Sequence, residues 1–173
     1  MILIWIVIFF SLSGIIFQDF RSRMVYIFWF PILIVSFLII HFQNELPYLL
    51  IKKSIFFNLL FLVIQFLVLT IYFSLKEKTW INITRDLLGL GDIFFIVSIA
   101  FYFSFINFFL FYLSSLIYAI LAWTLWLSIT NKKDTRIPLA GLQGMFFIFF
   151  VLGDWFYTSI SLTSDNWIYN FLQ

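Results

Sequence analysis

The chain has 173 residues, 64% of them hydrophobic and only 10% charged, and a mean hydropathy of +1.11. A soluble domain carries about 25% charged residues, so the composition excludes an ordinary water-soluble fold and indicates a polytopic membrane protein, whose lipid-facing helices need no polar outer face. The absence of cysteine excludes disulfides, thiolate zinc sites and cysteine nucleophiles, and a single histidine cannot by itself build a metal centre. The net charge of +2 names no partner, and no nucleic-acid partner is expected.

Met1 to Phe17 is apolar apart from Ser11 and Ser13, and its charges, Arg21 and Arg23, follow the apolar run. A secretory signal peptide has its positive region first, so the stretch is expected to be a retained first helix with its N-terminus outside. Gln18 to Arg23 is a short polar break carrying Asp19, and Met24 to about Ile40 forms a second span containing Pro31, tolerated where neighbouring groups re-satisfy the freed carbonyl. His41 to Pro47 is expected to be a loop, with His41 an interfacial residue. Lys52 and Lys53 precede a third span, about Ile55 to Leu75, whose Gln65 is expected to face other helices.

The polar stretch from Lys76 through Asp86 delivers the chain to Gly89-Leu90-Gly91-Asp92, and from Ile93 to Thr130 there are 38 residues without a charge. At ~1.5 Å per residue one helix of that length would run to about 57 Å, nearly twice a hydrocarbon core of ~30 Å. Two helices must share it, with the turn expected near Ser104 to Asn107. A polar loop, Asn131 to Arg136, precedes a sixth span, Ile137 to about Phe156, along which Ala140, Gly141 and Gly144 offer a small-residue surface for close helix contact. The tail from Tyr157, with Trp167 and Tyr169, is expected to be an interfacial anchor. The fold class is therefore all-α, a single membrane-embedded domain over residues 1–173 with about six transmembrane helices.

Asp92 is the unusual charge. An ionisable group at the edge of hydrocarbon is unfavourable by a few kcal/mol, about 2.5–3.5 at a helix centre, and is a functional-site hypothesis by default. Gly89 and Gly91 are expected to bind substrate, since glycine permits φ > 0 and lets a peptide backbone lie close to the carboxylate; the competing structural reading is a helix cap. A second carboxylate, Asp19, ends another apolar segment. With the N-terminus outside, cytoplasmic segments hold Arg21, Arg23, Lys76, Lys78, Arg85, Lys132, Lys133 and Arg136 against Lys52 and Lys53 outside. Eight basic residues against two set the orientation, and it puts Asp19 and Asp92 on the same, cytoplasmic side. Asp86, Glu77, Asp134 and Asp165 are expected to be solvated charges, and Gly153-Asp154, with Val151 in place of a first glycine, falls at the opposite face.

The carboxylate in Asp19-Phe-Arg-Ser-Arg-Met-Val, the Gly-x-Gly-Asp opening the fourth helix, and a final helix begun through Ile137-Pro138-Leu139-Ala140 resemble the type IV prepilin peptidases, the Gly-x-Gly-Asp class of membrane aspartic peptidases. The likeness spans helix one to helix six and follows the short members, which lack the N-terminal methyltransferase region. It implies an aspartic endopeptidase of the cell (inner) membrane that removes the basic leader of prepilin-like proteins at the cytoplasmic face, with Asp19 and Asp92 catalytic, both termini outside, no cofactor, and prepilin-like peptide and membrane lipid as partners. The sequence departs from the family at Val25-Tyr26-Ile27, where Ile-Pro-Asn is usual, and at Phe94, where a lysine is common. Two alternatives stand beside it: a catalytically silent assembly partner of the same fold, and a proton- or ion-coupled transporter, which the placement of both aspartates at one face disfavours.

Overall fold

A computed structural model describes residues 2–43, 47–78, 89–130, 137–156, 161–165 and 167. Their regular structure is entirely helical: α1 (Ile2–Ser22), α2 (Trp29–Gln43), α3 (Tyr48–Glu77), α4 (Leu90–Ile99), α5 (Phe105–Thr130) and α6 (Leu139–Phe156). Among them α1, α3 and α5 are long and apolar enough to cross a membrane, and α2, α4 and α6 are shorter apolar helices. Asp86, Asp134, Arg85, Lys132, Lys133, Arg136 and Tyr169, on which several expectations rest, lie outside the described residues.

The helices pack α1 on α6 and α2, α6 on α5 and α4, α2 on α4, and α3 on α5. Small residues set the closest approaches. A Cβ on Gly141 would stand 3.0 Å from two ring carbons of Phe20, and one on Gly144 would stand 3.1 Å from Ile16 Cγ1, so the small face expected on the last helix is where α1 lies. The buried side chains of α1 are Ile8, Ser11, Leu12, Ile15 and Asp19. Ile8, Leu12, Ile15 and Asp19 recur at helical spacing on one face, so the carboxylate takes the next place on the core stripe. Between the helices an aromatic lattice fills the interior, with Tyr102 5.0 Å from Phe37 and 5.4 Å from Phe147, and Phe103 5.0 Å from Phe111. By contrast α3 buries only Ile51, Asn58 and Leu62.

Four sequence expectations are corrected. The first helix runs on to Ser22, so Asp19 sits in a helix rather than in a polar break, and Ser22 Oγ donates to the Gln18 carbonyl at 2.9 Å within that last turn. Pro31 falls in the first turn of α2, where its missing N–H breaks no helical bond. The uncharged 38-residue run turns at Ala100 to Ser104, slightly before the expected place, and α4 has only 10 residues. Finally, His41 is not a loop residue: it is in the last turn of α2 and 4% exposed.

The buried turn between α4 and α5 explains His41. Ala100, Tyr102, Phe103 and Ser104 are all buried, and non-helical backbone in an apolar interior must find hydrogen-bond partners inside the protein. Asn58 Nδ2 donates to the carbonyls of Ala100 and Phe103, both at 2.9 Å, and His41 Nε2 donates to that of Phe101 at 2.9 Å. Two polar side chains from α2 and α3 thus permit the chain to turn there.

Candidate active site

Both predicted carboxylates come together at the N-terminus of α6. The first amides of a helix have no partner within it and carry a partial positive charge. Here two consecutive ones are used: the Ala140 N–H donates to Asp92 Oδ1 at 2.8 Å, and the Gly141 N–H donates to Asp19 Oδ2 at 2.7 Å. Neighbouring amides hold the two carboxylates side by side, close enough for the charge on Asp19 to act on Asp92. Asp19 is 6% exposed and Asp92 is half-buried.

Local structure fixes each carboxylate before they meet. Gly89 is the N-cap of α4, and Asp92, three residues on, accepts the Gly89 N–H through Oδ2 at 3.2 Å, the backward half of a capping box. Asp92 therefore spans two helix starts, its own through Oδ2 and that of α6 through Oδ1. Neither motif glycine has a positive φ, which corrects the conformational reason expected for them. At Gly89 space is tight, since a Cβ would lie 3.1 Å from Asp92 Oδ2, whereas one on Gly91 would make an ordinary contact, 3.4 Å from Val25 Cβ.

Beyond Asp19, the chain leaves α1 through Arg23, whose N–H donates to the Asp19 carbonyl at 3.1 Å and whose φ of 57° is left-handed. The Tyr26 N–H then donates to Gln18 Oε1 at 3.0 Å, folding the 23–28 turn back over the end of α1 and setting Val25 against Gly91. The Arg23 guanidinium lies over the Trp123 ring at 4.8 Å, and its charge acts on both aspartates. A cation near two carboxylates lowers the cost of gathering negative charge in an apolar place.

Arg23, Trp123, and the amides of Ala140 and Gly141 are additions to the residues read from the sequence. For the amides no side-chain signal exists, and Ala140 and Gly141 were marked only as a packing surface. Asp154 stays apart from this cluster. Fourteen residues of α6 separate it from Ala140, about 21 Å at the helical rise, and its Oδ1 accepts the Leu162 N–H at 3.0 Å. Asp165, expected to be solvated, instead accepts the Ser104 hydroxyl at 2.6 Å.

No family model matches the chain, and neither a curated protein nor a solved structure matches it. The chemistry therefore rests on the site: two carboxylates from separate helices, oriented by fixed backbone dipoles, beside an arginine, in a largely apolar bundle.

Proposed function

We propose that the protein is a membrane aspartic endopeptidase that removes the leader of prepilin-like substrates at the cytoplasmic face. The observation that carries this reading is the meeting of Asp19 and Asp92 on adjacent amides of α6. Two carboxylates this close do not both ionise readily, so they hold one proton between them. An ionised carboxylate offers about four lone-pair directions, so the amide bonds leave room for a water and for the shared proton. In the reaction the ionised member takes a proton from water, the protonated member donates to the scissile carbonyl, and the resulting tetrahedral centre collapses as a proton passes to the leaving amine. The amides of Ala140 and Gly141 act as positioning groups that keep both carboxylates in register throughout.

The orientation follows from the basic residues, eight against two, and supports an inner-membrane protein with both termini outside and the aspartates facing the cytoplasm. Reporters fused after Phe20, Lys78 or Lys133 should read as cytoplasmic, and those after Asn44 or at the C-terminus as external. Finding the sites near Phe20 and Lys78 on opposite faces would sink the orientation.

The direct test co-expresses the protein with a prepilin-like substrate, a basic leader ending in glycine before an apolar helix, and follows precursor and mature forms on a gel. Wild type should convert the substrate, and Asp19→Asn or Asp92→Asn should not. Conversion by the single variants at the wild-type rate would overturn the aspartic mechanism. Failure of wild type on every candidate leader would favour the silent assembly partner, the reading in keeping with Tyr26 and Phe94.

A further inference from the structure

Two arginines stand at the end of α1, and they go different ways. Arg21 is exposed, and its guanidinium lies 5.7 Å from the centre of the Phe17 ring, which is itself 62% exposed. Arg23 is half-buried, and its guanidinium lies 4.8 Å over Trp123, a ring of α5 that is only 6% exposed. One cation belongs to the surface, and the other is drawn in between helices.

The backbone shows that the second placement has a cost. The Arg23 N–H donates to the Asp19 carbonyl four residues back, and its φ of 57° is that of the left-handed cap that usually falls to glycine. An arginine is strained there where glycine is not. Lys78 closes α3 with a similar φ of 54° but stays exposed, which leaves the contact with a buried ring as the distinguishing feature of Arg23.

Trp123 in turn is tied to the site. It packs in a small cluster with Ala119 and Leu142, against half-buried Leu139, and these two leucines flank the residues whose amides hold the aspartates. A cation over an indole face is attracted by the ring quadrupole, most strongly where both are out of water. The ring therefore sets where the guanidinium stands relative to the first turn of α6, and from there its charge reaches both carboxylates. A pair that shares one proton has one net negative charge, and in a largely apolar bundle such a charge needs an opposite one beside it.

We propose that Arg23 is a positioning residue that serves as the counter-charge of the aspartate pair, and that Trp123 is the platform that holds it in place. The inference rests on the peptidase reading and adds two residues to it. Neither touches substrate: Arg23 acts through the carboxylates, and Trp123 acts through Arg23.

The experiment measures kcat and KM for leader removal by the purified full chain in detergent, with rates normalised to folded protein. Arg23→Gln should lower kcat at least about 10-fold, with KM within about twofold of wild type, the size expected for one opposite charge on a carboxylate. Arg23→Lys keeps the charge and should recover most of the loss. Arg23→Gly accepts the left-handed φ without strain, so it should fold as well as wild type and still be as slow as Arg23→Gln. Arg21→Gln removes the same charge from the same turn and should leave kcat unchanged. Trp123→Phe keeps a ring and should retain most of the activity. Trp123→Leu should lower kcat in the wild-type background and have no further effect on Arg23→Gln, because residues that share one interaction are not additive.

An Arg23→Gln variant as fast as wild type, Arg23→Lys as slow as Arg23→Gln, a rise in KM in place of the fall in kcat, or a Trp123→Leu loss that adds to that of Arg23→Gln would each overturn the proposal and leave the aspartic reading intact. A wild type that converts no candidate leader fails the peptidase reading, and this inference with it. If Trp123→Leu does not fold, the charge series at Arg23 and Trp123→Phe decide.

Discussion

The two ends of α6 solve the same problem in opposite ways. At its C-terminal end, Asp154 accepts the Leu162 N–H, Asp165 accepts the Ser104 hydroxyl, and Asn107 Nδ2 faces the carbonyls of Ser161, Leu162 and Ser164 at 2.9 to 3.1 Å. Each carboxylate there has its own donor, and the result ties the 161–165 segment to the start of α5. At its N-terminal end two carboxylates are set beside one another on successive amides, so like charge is gathered rather than separated. Either carboxylate alone would cap α6, but bringing two like charges together there is unfavourable, and carboxylate pairs of this kind concentrate at functional sites. One end is a staple, and the other has the form of a reaction centre.

The largest expected effect breaks the proposed reaction centre. Asp19→Asn and Asp92→Asn should each abolish leader removal, and the double variant should be no worse than either, because groups that act as a unit are not additive. Membrane abundance should survive, since Asn is nearly isosteric and removes the possibility of an unpaired buried charge. Loss of activity that follows loss of protein on an immunoblot would instead mean a structural role.

Next in size is Gly141→Ala. Its Cβ would meet Asp19 Oδ2 at 3.2 Å and the Phe20 ring at 3.0 Å, pushing at both the carboxylate and the helix that carries it. A displacement of this kind should lower turnover about 10- to 100-fold. Gly144→Ala makes the comparison sharp, because its Cβ meets Ile16 Cγ1 at 3.1 Å and the Phe95 ring at 3.7 Å, and nothing of the aspartates. Equal losses in the two variants would attribute the effect to α1–α6 packing alone.

The staple end should respond in stability. Asn107→Ala removes the two N–H donors shared among the Ser161, Leu162 and Ser164 carbonyls, and leaving a buried carbonyl unpaired costs about 1–3 kcal/mol. The melting temperature in detergent should fall, with turnover per folded molecule unchanged. A selective loss of turnover would show that the two ends of α6 are coupled.

Much of this contrast was legible in the sequence, for identifiable reasons. In a chain with so few charges, a carboxylate at the end of an apolar run stands out, and Asp19 and Asp92 were found that way. Small residues at helical spacing likewise announced the face of α6 that meets α1. The donors that join the aspartates were hidden, because every residue but proline has an amide and only tertiary packing decides which amides meet a carboxylate. Asn58 and His41 were missed for a related reason: their partners are carbonyls of a turn that lies 42 and 60 residues further along the chain. Gly89 was read for backbone freedom when the structure shows a tight approach to Asp92 instead, and the two causes leave the same letter in the sequence.

The smallest effect is the one that most sharply divides the two ends. Asp154 repeats the look of the motif aspartate, follows a glycine, and is half-buried, yet its partner is a single local amide, Leu162. Asn keeps an oxygen in the same place, so Asp154→Asn should preserve that hydrogen bond, leave the melting temperature almost unchanged and keep leader removal within a few-fold of wild type. Asp154→Leu has no acceptor and should lose about 1–3 kcal/mol through the unpaired amide, again without a specific loss of turnover. The distance supports the same expectation, since about 21 Å of helix separates this carboxylate from Ala140, far beyond the roughly 3 Å reach that proton transfer requires. Should Asp154→Asn abolish processing at normal membrane level while Asp92→Asn does not, the reaction centre is at the other end of α6 and the pair at Ala140 and Gly141 is the staple.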